Sequence, residues 1–332
     1  MADLSTKYLG LDLRNPIVVA SSGLTDSVND IVELDKNGAG AVVLKSIFEE
    51  QIHLEADHNI RKMQADGFTY DEYSETMDYI DVHIKEKELS NYFNLIKEAK
   101  SKVSIPIIAS INAVTPLEWP TFAKQIEAAG ADAIELNIFV MPFGTDKECK
   151  ENEEVYYKIL KKVKDAVSIP VAVKLSPYFS NLGKVLLNLE KDGADALVLF
   201  NRFSAPDIDI ENIKTTHAEI FSNPNEMFNV LRWVGIMANK LNADLSATTG
   251  IHDGASAIKM LLAGATTVQV SSTLYKNGVG HLSTMLNDMH SWMDKKGFRY
   301  VDQFRGKLAH DANDNNNVFE RMQFMRYFSE IK

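Results

Sequence analysis

Short apolar runs separated by longer amphipathic stretches set the rhythm of this chain. Ile17–Ala20, Ala41–Leu44, Ile107–Ile111, Ala133–Leu136, Val171–Leu175, Ala196–Phe200, Asp244–Ala247 and Val268–Val270 are a few residues each, rich in Val, Ile and Ala. Gly or Pro stands near their ends, so they read as parallel strands buried on both faces. Between them, Lys and Glu interleave with apolar positions at helical spacing, over Tyr92–Lys100, Thr121–Ala129, Glu154–Ala166, Leu182–Asp192, Glu226–Asn239 and Ala255–Leu262.

Two phrases repeat. Ser104-Ile105-Pro106 before one strand returns as Ser168-Ile169-Pro170 before another, about 64 residues on. Gly-Ala-x-Ala precedes strands at Gly130 and Gly193, with kindred forms at Gly38 and Gly264. Each of these glycines falls just past a helix, where a left-handed residue is wanted. Eight βα units in about 300 residues predict a single-domain α/β protein, a (β/α)8 TIM barrel over residues 1–308. A doubly wound sheet is the alternative, but it gives no reason for eight units.

Three segments fall outside the unit. Residues 47–90 form a long charged insert after the second strand, and 203–225 a second excursion after the sixth. Residues 309–332 form a C-terminal extension. Its Asp311-Ala312-Asn313-Asp314-Asn315-Asn316-Asn317 faintly resembles a calcium loop, but Asn316 replaces the turn glycine and Met322 the closing carboxylate, so a polar turn is expected. Phe319, Met322, Phe324, Met325, Tyr327 and Phe328 then suggest an amphipathic helix.

Composition narrows the function. Across 332 residues, 46 acidic against 35 basic side chains give a net charge of −11, which argues against nucleic acid and anionic membranes as partners. No apolar run is long enough to span a bilayer. The start, Met1 to Lys7, has no basic stretch followed by an apolar one, so a chain without a signal peptide in the cytoplasm is the expectation. A single cysteine, Cys149, leaves no internal disulfide, cysteine zinc site or iron–sulfur cluster within the chain. His53, Glu55, Asp57 and His58 match no metal spacing and read as a solvated loop, so no metal is expected.

In a barrel the chemistry sits at the carboxyl ends of the strands. Here those ends carry Ser21-Ser22-Gly23, Lys45-Ser46, Asn112, Glu135 and Asn137, Lys174, Asn201, Thr248-Thr249-Gly250 and Ser271-Ser272. Lys45 and Lys174 each end an apolar strand, where an unpaired ammonium is costly, so an anionic or electron-rich ligand is expected to satisfy both. Thr249-Gly250, then Gly254 before a helix, and Ser271-Ser272 occupy the loops that commonly hold a phosphate, with a helix N-terminus among the donors. Lysine chemistry of an aldolase type, using Lys45 or Lys174 in a non-redox lyase or isomerase, is a second reading of the same mouth.

The ordered series Asn15-Pro16, Ala20-Ser21, Lys45-Ser46, Glu135-Leu136-Asn137, Val173-Lys174-Leu175-Ser176-Pro177, Thr249-Gly250-Ile251 with Gly254, Gly264-Ala265-Thr266 and Phe304-Arg305-Gly306-Lys307-Leu308 resembles the dihydroorotate dehydrogenase family, class 1-like. The likeness runs from about Tyr8 to Leu308. It implies an FMN oxidoreductase of pyrimidine biosynthesis acting on CH–CH bonds, a small-molecule substrate, an unidentified electron acceptor and a homodimer. By the same resemblance, Ala20, Ser21, Lys45, Ser46, Asn137, Lys174, Asn201, Thr249, Gly250, Ser271 and Ser272 hold the cofactor. Lys45 and Lys174 lie at the electron-accepting end of the flavin, Asn137 lies between flavin and substrate, and the last four hold the phosphate.

Departures from the family are equally specific. After Glu-Leu-Asn the family carries a Cys or Ser base on a loop over the flavin. This chain reads Ile138-Phe139-Val140-Met141-Pro142-Phe143, with no proton acceptor. Cys149 further along reads as structural. The Asn-rich substrate loop is replaced by Asp66-Gly67-Phe68-Thr69-Tyr70-Asp71-Glu72-Tyr73, which should repel a carboxylate. Glycines near the cofactor are replaced around Phe221-Ser222-Asn223 and at Ser271. The flavin cradle is thus expected to be kept and the dihydroorotate chemistry lost, with a flavin-binding protein lacking its own turnover as the remaining alternative.

Overall fold

The computed structural model describes residues 2–48, 89–112, 119–311 and 319. Most of the insert lies outside them, including His53 to His58 and Asp66 to Tyr73, as do 312–318 and the tail beyond Phe319.

An N-terminal hairpin, β1 (Thr6–Tyr8) and β2 (Leu11–Leu13), precedes the barrel. The barrel strands are β3 (Ile17–Val19), β4 (Ala41–Val43), β6 (Ile107–Asn112), β7 (Ala133–Asn137), β8 (Val171–Leu175), β9 (Ala196–Leu199), β12 (Asp244–Thr248) and β13 (Thr267–Val270). All pair in parallel, and the β4–β6 pairing closes the ring. A two-residue strand, β5 (Ile47–Phe48), pairs in parallel beside the carboxyl end of β6. Every expected strand is present, and the fold is the single-domain (β/α)8 TIM barrel that the repeats predicted.

Two-residue alternation sorts each strand. Outward residues such as Ile17, Val42, Ile134, Val173 and Leu197 join the large core under the helices. Inward residues Val18, Ala41, Val43, Ile108, Ala133, Ala172, Ala196 and Val198 form a second, smaller core inside the barrel. Tyr8 of the N-terminal hairpin is fully buried in that cluster and plugs the barrel's amino end. Burial raises its phenol well above the ordinary range, with the Glu135 and Asp244 carboxylates adding to the effect.

Helices cover the outside, including two that the apolar periodicity did not single out, Val28–Lys36 and His281–Lys296. The second is rich in polar residues, yet its Leu282, Met285, Met289 and Met293 stripe is buried, and it packs against the helix Gly254–Ala263. The excursion after β9 contains a further antiparallel hairpin, β10 (Pro206–Asp209) and β11 (Lys214–His217), rather than an irregular loop. Of the tail, Phe319 lies against the helix Met227–Met237, where Gly235 leaves room for its ring. Among the described residues no helix is long and apolar enough to cross a membrane.

The recurring glycines do the work their position suggested. Gly38, Gly130, Gly193 and Gly264 have φ of 101°, 97°, 100° and 114°. A side chain at Gly130 would meet nothing, whereas at Gly264 its Cβ would lie 2.3 Å from the Ala238 Cβ. Gly130→Ala should therefore lose only about 1–2 kcal/mol for the left-handed backbone, and Gly264→Ala a further ~1–3 kcal/mol from overpacking. Urea unfolding midpoints measure the difference, and equal losses would contradict the packing account.

Candidate active site

Alternation turns Glu135 of β7, Lys174 of β8 and Gln269 of β13 inward near the carboxyl end. Lys174 Nζ lies 3.3 Å from Glu135 Oε1. It also donates to Gln269 Oε1 at 3.4 Å, while Gln269 Nε2 donates to Glu135 Oε2 at 2.6 Å. All three residues are buried. Because neither charge can be left unpaired in the lumen, the triangle fixes where the ammonium sits.

Above this triangle Asn201 Nδ2 donates to Asn137 Oδ1 at 2.6 Å, joining the exits of β9 and β7 over β8. On the opposite side a run of hydroxyls descends from the mouth. Ser21 Oγ is 3.1 Å from Ser46 Oγ, which is 2.7 Å from the buried Ser110 Oγ. The Ser46 N–H also donates to Ser21 Oγ at 2.9 Å.

Loops seven and eight complete the mouth. Thr249 and Gly250 both have positive φ, 81° and 76°, and a β-branched residue in that region is strained by roughly 1–3 kcal/mol. The Thr249 hydroxyl holds the conformation by donating to the Phe200 carbonyl at 3.1 Å. After β13 comes a short helix, Ser272–Asn277, whose cap Ser271 makes no side-chain capping bond. That is the short extra helix whose N-terminus serves phosphates in many barrels.

A cleft of about 210 Å³ gathers these elements. Ala20, Ser21, Lys174, Asn201, Thr249, Gly250, Ser271 and Ser272 line it, as do Gln269, Arg202 and Ser222. Among the described residues the lining holds two cations and no carboxylate. Ser46 and Asn137 stand one hydrogen bond behind it. Lys45 does not join the lining: half exposed, its ammonium is 3.4 Å from Asp26. The expectation that both lysines need an anionic ligand is therefore corrected, since each already has a carboxylate of the protein.

A second correction concerns Gly254. The helix Gly254–Ala263 is capped by its own Asp253, whose side chain accepts from the Ser256 N–H, and Gly254 is not among the residues lining the cleft. Gly254 instead permits close packing, for a Cβ there would lie 2.5 Å from the Asp288 Cβ.

Several residues of the cleft gave little warning in the sequence. Arg202 ties down the long excursion: Nε pairs with Glu226 at 2.9 Å, and the guanidinium donates to the Ile220, Glu219 and Phe221 carbonyls. The Ser222 N–H donates to Ser272 Oγ at 3.0 Å, and Lys276 Nζ donates to the Ser222 carbonyl at 3.0 Å. Ser222 Oγ is also 3.0 Å from His252 Nε2. Burial, then the nearby Lys276 ammonium, hold the His252 imidazole below its ordinary 6.5. The stretch 138–143 after β7 carries no proton acceptor: Phe139 is 49 % exposed, with Val140 and Met141 following it. Cys149 is exposed at the start of the helix Cys149–Lys164.

The family model for dihydroorotate dehydrogenase matches residues 3–293. Curated relatives include the catalytic subunit of dihydroorotate dehydrogenase B (NAD(+)) from Thermoplasma volcanium, 30% identical over 92% of this chain and 98% of the relative. The proteins of the same name from Thermoplasma acidophilum and Methanocella arvoryzae are 28% and 29% identical, over 92% and 91% of this chain and 99% and 96% of theirs.

Two stability outcomes follow from this geometry. Glu135→Ala strands a buried ammonium and should cost about 3–5 kcal/mol, whereas replacing all three members, Glu135→Leu, Lys174→Met and Gln269→Leu, should be near neutral or more stable. Urea unfolding of both variants tests this, and an equally damaged triple variant would contradict it. For His252 the folded state favours the neutral ring. Its contribution is therefore complete above 6.5 and is lost as pH falls from there through the lower folded value. Melting temperatures at pH 7.5 and about 5.5 should differ less in His252→Asn than in the unchanged protein, and identical slopes would refute the assignment.

Proposed function

The chain belongs to the dihydroorotate dehydrogenase family, and from that premise we propose an FMN-dependent oxidoreductase that takes hydride from a CH–CH bond of a small molecule other than dihydroorotate. The observation that carries the reading is the cleft built from Lys174, Asn201 and loops seven and eight, cationic in its lining and, among the described residues, free of carboxylates.

The donors present suit FMN. An uncapped short helix at Ser271 and Ser272, beside the left-handed pair Thr249 and Gly250, suits a phosphate at one end. Lys174 suits the electron-accepting end, because a nearby ammonium stabilises negative charge on a reduced flavin. Ala20 and Ser21 would meet the ring through their backbone, and Ser46 would brace Ser21. Asn137, held by Asn201, would face both ring and substrate. Lys45 would reach the ring only by leaving Asp26. Bound FMN would supply the two-electron acceptor.

What the chain itself does is orient and exclude. The Glu135–Lys174–Gln269 triangle holds one ammonium at a set depth, so no reorganisation is needed when charge develops there. Arg202 anchors the return of the excursion, which brings Ile220 and Ser222 over the cleft and narrows the path of water. A Schiff-base lysine needs a free amine facing the cavity, whereas Lys174 is tied to Glu135 and Gln269, which counts against the lyase reading.

Dihydroorotate is a poor fit, because its oxidation needs a base on the loop after β7, where Phe139, Val140 and Met141 stand. Partnership follows the relatives, whose names describe a catalytic subunit. Ile208, Ile210, Ile213 and Ile220 are exposed on the excursion and offer an apolar face for a second copy or an acceptor subunit.

Purified protein should show flavin absorbance and release FMN, not FAD, on denaturation, while colourless protein that refuses added FMN would overturn the reading. Lys174→Ala should weaken flavin binding or make its potential more negative. Anaerobic mixing with dihydroorotate should bleach the flavin about 10²–10⁴-fold more slowly than expected of an enzyme with its base in place. Bleaching within seconds would mean that a residue outside the loop supplies the base.

A further inference from the structure

Where the expected base is missing, three rings have gathered. Phe139, two residues beyond Asn137, lies with its centroid 4.4 Å from that of Phe203, two residues beyond Asn201. Tyr178, from the exit of β8 between them, lies 5.4 Å from Phe203. Phe139 and Tyr178 are each 49 % exposed. Single exposed aromatics are ordinary. Three joined through Phe203, delivered by three neighbouring strands at the chemical end of a barrel, are not scatter. The ring pair stands two residues beyond the amide pair on the same two strand exits.

Beside these rings, with Tyr178 in its wall, lies a second cavity of about 460 Å³, distinct in its lining from the cleft. Val140, Pro142, Tyr156, Pro177, Tyr178 and Phe179 supply its apolar wall. The wall is stiff: Tyr156 and Phe179 meet edge to face at 5.1 Å, and the Val140 N–H donates to the Tyr156 hydroxyl at 3.3 Å. Among the described residues Lys147 and Glu153 are the charged lining residues, one of each sign, so this lining has no net preference for an anion. Flat apolar walls with stacking faces and no net charge select a planar, uncharged ring over a carboxylate.

We propose that this pocket, walled by Tyr178 with Phe203 and Phe139 next to it, is a binding site for a planar, uncharged aromatic or heteroaromatic ring.

Cys149 lines the same cavity and is the sole cysteine of the chain, so its alkylation reports occupancy without interference. The experiment follows the rate of iodoacetamide labelling of full-length protein as 2-naphthol is titrated. Saturable slowing of at least about fivefold is expected. Tyr178→Ala should weaken the midpoint about tenfold or more, which is about 1.4 kcal/mol. Phe143→Ser, on the same loop at a residue 84 % exposed and outside the lining, should leave it unchanged. Val140→Asp, which puts a carboxylate into the wall, should abolish protection.

Absence of saturable protection overturns the proposal, as does equal protection in Tyr178→Ala. A labelling rate without 2-naphthol that falls with protein concentration also overturns it, because a second copy then covers this face. Protein that takes no FMN but is still protected keeps the pocket and refutes the flavin reading alone.

Discussion

A parallel sheet closed on itself leaves its inward side chains no exit except along the barrel axis, and everything else in this molecule is arranged around that constraint. At the amino end the lumen is filled by Tyr8 and a layer of alanines and valines. One level up it is polar, and there the closed ring allows no water to pair a stray charge. Glu135, Lys174 and Gln269 satisfy one another across strands that are distant in sequence. A buried pair of this kind contributes little net stability. Its effect is positional, because the ammonium can stand in only one place without leaving a carboxylate bare.

Strand exits inherit that order. β7, β8 and β9 are neighbours in the ring, so the residues just past them are delivered side by side whatever their identity. The chain spends the first of these positions on amides, Asn137 and Asn201, and the next on rings, Phe139 and Phe203. On the far side, β12 and β13 deliver Thr249, Gly250, Ser271 and Ser272 to a cleft that the excursion after β9 then covers. Arg202 makes that cover durable, since its guanidinium is committed to Glu226 and three backbone carbonyls of the returning segment.

Features that depend on local rules were legible in the sequence. Strands announced themselves by short β-branched runs, and the helix-ending glycines by their phrase, because a left-handed backbone leaves few other residues to choose. Eight of the eleven residues expected around the cofactor line one cleft because the end of a strand is a place that pattern can locate. What failed depends on contacts that pattern does not carry. Lys45 looked unpaired until the first loop brought Asp26 beside it. Gly254 looked like a phosphate glycine, though Asp253 caps its helix and Asp288 crowds it. Gln269 lay inside the expected strand Val268–Val270 without a role, because its partner Glu135 is 134 residues away. The helix His281–Lys296 went unnamed, although a spacing of three and four through Leu282, Met285, Met289 and Met293 was there to be read.

Cleft and loop have thus moved in different directions, and the reason is physical. The cleft's contacts are shared. Lys174, Asn201, Ser222 and Ser272 each also hold a neighbour in place, so a change at any of them disturbs folding as well as binding. The stretch after β7 carries no such debt: its side chains at 139, 140 and 141 are partly exposed, and the backbone is held through Tyr156 whatever those side chains are. A reactive residue there can be replaced by a ring with little structural consequence, yet the replacement changes what the mouth attracts. A thiol or hydroxyl base favours a substrate with a removable proton, whereas adjoining rings favour a flat face and exclude water from it. Chemistry can therefore diverge at the rim while the polar floor stays as the barrel built it.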